Sequence, residues 1–190
     1  MKYEDTPTKG VVIVGMVGGA ALLVIGYLQG DTFGFPGSEA YQKYEFYNRA
    51  FSIGLLLASF AYLGIYQRYA NILPKSGKTI YTLTLISLIG IIFGNAAEFW
   101  LFSNLPYQQL NMRSISFTIF ALGLLLLGVV SLIGGILFLK NKEIPLLAGV
   151  LLVAYFPLIF LMANIASDFA GLGLPALGLG ISLFENHPDI

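Results

Sequence analysis

GNAAEFW, residues 94–100, decides how the chain is read. The stretch closes a long apolar run, 79–102, and holds Glu98, the one acidic residue inside the first four such runs. Asn95 stands three residues before it, and Trp100, the only tryptophan, two residues after. A carboxylate inside an apolar span costs ~2.5–3.5 kcal/mol at a bilayer midplane on insertion scales, and less near the interface. Such a group is retained where it is paired or used. The composition around it names the solvent. Of 190 residues, 57% are hydrophobic and 11% charged, where a soluble domain has about 25% charged. Mean hydropathy is +0.80. The bilayer is therefore the solvent, and the expected fold class is an all-α, polytopic integral membrane helix bundle.

Five spans are expected, at 11–28, 50–69, 79–102, 113–139 and 144–165, in a single transmembrane domain. The first reads as uncleaved, because acidic Glu4 and Asp5 precede it and no A-x-A pattern follows. Ser38 is placed to cap a helix that begins at Glu39 and continues through EAYQKYEFYNR into the second span. Tyr41, Tyr44 and Tyr47 crowd that entry, as an aromatic belt does. Pro145 suits the first turn of the fifth span, and Pro157 should free the Val153 carbonyl and kink it. Residues 169–184, glycine-rich and broken by Pro175, would reach only ~24 Å as a helix against a ~30 Å core. They read as an interfacial or re-entrant segment, with a sixth span as the alternative.

Small residues recur at helical spacing. Gly15, Gly19 and Gly26 fall near one face of the first span, and Gly54, Ala58 and Ala61 on the second. Ala121, Gly128, Ser131 and Gly135 line the fourth. Such stripes let helices approach closely. They are read mainly as packing faces within the bundle. The partners implied are the lipid bilayer, and a membrane-protein partner or second copy through Gly15, Gly19, Gly54, Ala58, Gly128, Ser131 and Gly135.

Lysine and arginine set the expected orientation. Lys2, Lys9, Arg68, Lys75, Lys78, Lys140 and Lys142 fall on one side, and Lys43, Arg49 and Arg113 on the other. The positive-inside rule places the N-terminus in the cytoplasm of a cell whose plasma membrane holds the chain. Five spans then leave the C-terminus outside. On this topology Glu98, Arg49, Arg113 and Asp168 all lie at the outer ends of their spans, with Asn48, Asn95, Asn111 and Asn164 at the same level. At 100° per residue, Thr84, Ser87, Gly94 and Asn95 fall within about 60° of Glu98, and Trp100 points the opposite way. A polar stripe faces a bundle interior. Glu98 is thus expected to point inward, with Arg113 or Arg49 as its partner. Candidate ligand or ion-pair residues are Glu98, Asn95, Arg113, Arg49 and Asp168.

Many chemistries are excluded or unsupported. There is no cysteine and a single histidine, His187, so thiolate chemistry, bis-histidine haem and multi-histidine metal sites are out. No HExxH, G-x-S-x-G or P-loop is present. The formal charge is zero, with no basic block for nucleic acid. No catalytic residue, cofactor or metal is expected. The reading is a non-enzymatic accessory or structural membrane protein. The alternative is a binder or transporter of a small ligand, lipid or ion, with an outward-facing pocket around Glu98.

Overall fold

Ser38 starts the longest helix as its position suggests. Its hydroxyl accepts the Tyr41 N–H at 3.1 Å, and Glu39 occupies the first turn. The computed structural model describes residues 9–30, 38–69, 72, 76–106, 111–163 and 168–185. Among these the regular structure is helical: α1 (Lys9–Gln29), α2 (Glu39–Tyr69), α3 (Ser76–Ala96) with a π turn at Ala97–Leu101, α4 (Met112–Leu139), α5 (Leu146–Val153), α6 (Tyr155–Ala163) and α7 (Asp168–Glu185). Four of them, α1, α2, α3 with its π turn, and α4, are long and apolar enough to cross a membrane. The chain is an all-α bundle of the membrane type.

Local chemistry sets the remaining ends. Asn111 caps α4 by accepting the Ser114 N–H at 2.9 Å. Pro145 is the residue before α5. Pro157 has no N–H to give the Val153 carbonyl, and the helix breaks there. Ala154 forms the joint, its N–H bonded to Val150 O and its carbonyl accepting from Leu158 N, each at 2.8 Å. Two short helices, α5 and α6, result. Pro175, by contrast, lies inside a continuous α7.

Apart from α5 and α6, which run in one direction through the Ala154 joint, consecutive helices pack antiparallel. Gly15 and Gly18 of α1 abut Ala61 and Ala58 of α2. Gly94 and Gly90 of α3 abut Phe120 and Gly123 of α4. Gly135 of α4 meets Val153 of α5, and Gly128 meets Phe156 of α6. The α5–α6 pair therefore runs back along α4, and Ile159 and Leu151 in turn face Gly171 and Gly178 of α7.

α7 closes the ring against α1. A Cβ added at Gly19 would stand 2.6 Å from the Leu177 nitrogen, and one at Gly173 would stand 2.6 Å from the Gly19 oxygen. The two backbones touch there, which only glycine allows. Gly15 and Gly19 thus serve two different neighbours, α2 and α7, and not a single face. Gly54 meets Leu22 of α1, so the small-residue stripes are filled from within the chain.

The α1–α7 pairing also fixes the relative place of the helix ends. Met16 faces Gly180, and the Lys9 ammonium sits 5.3 Å from the Phe184 ring centroid. The end of α7 therefore lies beside the start of α1. Opposite ends for the two, as five crossings imply, do not match this packing. The reason is physical: a glycine-rich helix can lie along another over its whole length, and α7, ~27 Å long at ~1.5 Å per residue, does so.

The outer surface carries many large apolar side chains. Ile13, Val17 and Val24 of α1, Ile86, Ile89 and Phe93 of α3, and Leu122, Leu125 and Val129 of α4 are all exposed. In water such a surface would aggregate; in a bilayer it faces lipid.

Candidate functional site

One end of the bundle gathers charge where α2, α3 and α4 meet. On α2, Tyr41, Glu45, Asn48 and Ser52 follow one another at spacings of four, three and four, and Arg49 stands four residues after Glu45, so they share a face. The first turns of α2 extend past the apolar run and carry this face beyond it. Tyr41, expected in an interfacial belt with Tyr44 and Tyr47, is buried on it.

Opposite α2, α3 loses its regular pitch. Phe102 N–H donates to Ala97 O at 2.9 Å, which closes the π turn over Glu98. In a straight helix Leu101 would fall about 60° from Glu98, toward the interior. The π turn fits an extra residue into the turn. Leu101 is then turned out, 70% exposed, while Phe99 is buried and Trp100 faces outward. Glu98 remains inside at 2% exposure.

Arg113, on the first turn of α4, is 1% exposed. Its Nη1 donates to Ser103 O at 2.7 Å and Leu105 O at 2.9 Å. Its Nη2 donates to the Tyr41 hydroxyl and stands 3.9 Å from Glu45 Oε1. The guanidinium also lies over the Tyr41 and Phe99 rings, at 5.6 and 5.9 Å from their centroids. Arg49 is more open. Its Nε donates to Phe99 O at 2.8 Å, its Nη2 to Ser103 Oγ at 3.4 Å, and Nη2 is 3.9 Å from Glu45 Oε2. The two arginines thus take up carbonyls that the end of α3 leaves without helical donors.

Glu45 joins them, one carboxylate oxygen toward each arginine. Glu45 lies outside the apolar runs, in the polar stretch 39–49, where a charge looks ordinary in sequence. Its signal was the four-residue spacing to both Tyr41 and Arg49. Glu98 lies in the same cluster, close enough to the Tyr41 hydroxyl to interact with it electrostatically, as Arg113 and Glu45 do.

Asn95 belongs to a neutral layer one turn deeper. Ser52 Oγ donates to Asn95 Oδ1 at 2.5 Å, and Asn95 Nδ2 donates to Asn48 Oδ1 at 3.3 Å. Asn48 Nδ2 in turn donates to Tyr44 O at 2.9 Å. The buried stripe continues through Ser87 to Thr84, which faces the Tyr66 hydroxyl beside Ser131. Asp168 opens α7, and its side chain lies outside the described residues, as do Asn164 and His187.

The arrangement joins three helices through charge-assisted hydrogen bonds. Among the described residues no group of three His, Cys, Asp or Glu is placed to hold a metal ion. Fold and cluster together define a class, a helical membrane bundle with a polar knot at one end. Comparison with known proteins finds no matching family model, no similar curated protein and no similar solved structure.

Proposed function

We propose that this chain is a non-enzymatic structural or accessory protein of the plasma membrane, and that the Glu45–Arg49–Glu98–Arg113 cluster is a staple for the outer ends of α2, α3 and α4. The observation that carries this reading is where the Arg113 bonds go: to Ser103 O, Leu105 O and Tyr41 of its own chain. A cation so engaged fixes helix ends. Loop charges support a cytoplasmic N-terminus, and the pairing of α1 with α7 then brings the end of α7 to the cytoplasmic side as well. The 186–190 tail has no Lys or Arg, so the count of basic residues is unchanged by that move.

A pocket for a small ligand or ion around Glu98 is the second reading. The π turn favours it, since such turns recur at functional sites. Glu98→Gln separates the two. As a staple, the variant melts earlier than wild type in detergent, and extracts of native membrane change neither melting curve. As a pocket, it keeps its melting point and loses a shift that the extract gives wild type. Co-purification from native membrane tests for a partner in the same preparation.

A further inference from the structure

The opposite end of the bundle carries a different feature. A groove of about 330 Å³ opens between the last turns of α2 and the first turns of α3, lined by Gln67, Lys78, Tyr81 and Thr82. Every one of these side chains can donate a hydrogen bond, and the only formal charge among them is the Lys78 ammonium. Among the described residues no carboxylate lines the groove. Gln67, Lys78 and Thr82 are exposed, and Tyr81 is half-buried.

What adjoins the groove is apolar. From Gln67, the same face of α2 continues through Phe60, Leu56 and Ile53, all exposed. From Thr82, the same face of α3 continues through Ile86, Ile89 and Phe93, also exposed. Two helices therefore present a polar, cationic mouth followed by a long hydrocarbon track. A phospholipid has that order of chemistry, an anionic headgroup and then acyl chains. Basic pockets between membrane helices at the cytoplasmic face are where such headgroups bind.

We infer that this groove is a binding site for an anionic phospholipid. Lys78 holds the phosphate, Gln67, Tyr81 and Thr82 donate to phosphate or glycerol oxygens, and the acyl chains lie along Phe60 and Ile86. The site is independent of the reading of the Glu98 cluster, which lies at the other end of α2 and α3.

The test uses the full chain in a neutral detergent. Thermal unfolding is followed by Trp100 fluorescence while phosphatidylglycerol, phosphatidylcholine or inorganic phosphate is titrated in, and bound lipid is counted by native mass spectrometry. Phosphatidylglycerol should raise the melting point and bind about fivefold more tightly than phosphatidylcholine, the worth of one lysine at an anionic surface. K78Q should bring that ratio to about one. K43Q, at the opposite end, should leave it unchanged. Lys78 is exposed, so K78Q folds, and its lipid-free melting curve verifies this. Equal shifts from the two lipids, or an undiminished preference in K78Q, overturns the inference. So does inorganic phosphate that reproduces the shift, which would make the groove a free-anion site.

Discussion

Replacing Arg113 with alanine removes the guanidinium that ties α4 to the end of α3 and to α2. Three hydrogen bonds go with it, to Ser103 O, Leu105 O and the Tyr41 hydroxyl, and so does the contact with Glu45. In a soluble core, removing one partner of a buried ion pair costs about 3–5 kcal/mol. Hydrogen bonds between membrane helices are worth less, ~0.6 kcal/mol on average, because the unfolded chain also finds partners. Three such bonds set a floor near 2 kcal/mol. Glu45, 18% exposed, recovers some solvation after the cut, so the upper figure is not reached. The expected loss is about 2–4 kcal/mol in a denaturing-detergent titration followed by circular dichroism. Arg49→Ala is the internal control. Its side chain is 40% exposed, and its ion pair with Glu45 is the helical i,i+4 kind. A loss of about 1 kcal/mol is expected there. Arg113→Lys should restore less than half of the Arg113→Ala loss, since one ammonium cannot serve two carbonyls and a phenol in a planar fork. If Arg113→Ala lies within ~0.5 kcal/mol of wild type, or no lower than Arg49→Ala, the staple reasoning fails.

The other predictions concern the ring and its orientation. Gly19→Leu drives a side chain into the Leu177 backbone and should cost about 3 kcal/mol or more, while Gly10→Leu, with nothing within 4 Å of its added Cβ, should be nearly neutral in the same titration. Reporter fusions check the crossings. A cytoplasm-dependent reporter placed after Lys142 or after Ile190 should be active, and one placed after Asn104 silent. A silent fusion after Ile190 would refute the shared side of the two helix ends.

Much of the fold was legible because the signals were local. An apolar run of span length needs no partner to be recognised, and Ser38 acts as a cap through a bond three residues away. Pro157 announces its break by a missing N–H. α7 was harder. Its length and glycines suggested a weak segment, yet the same glycines let it lie against the α1 backbone at Gly19 and Gly173. A glycine says that a backbone can come close; it does not say whose.

The candidate site divides along the same line. The inward stripe from Thr84 to Glu98 follows from helical periodicity alone, and those side chains are buried. The arginine partners do not follow from it. Glu98 drew attention because it interrupts an apolar run, whereas Glu45 sits in a polar stretch where a charge looks ordinary. Two facts outside any single run bring Glu45 in. α2 is long enough to carry its first turns past the apolar span, and the π turn reshapes the end of α3 and leaves backbone carbonyls to be satisfied. Arginines reaching for those carbonyls need a counter-charge at the same height, and Glu45 is one helical turn from Arg49. The oddity of Glu98 therefore located the cluster, while the helix end beside it accounts for a second carboxylate, Glu45, between the two arginines.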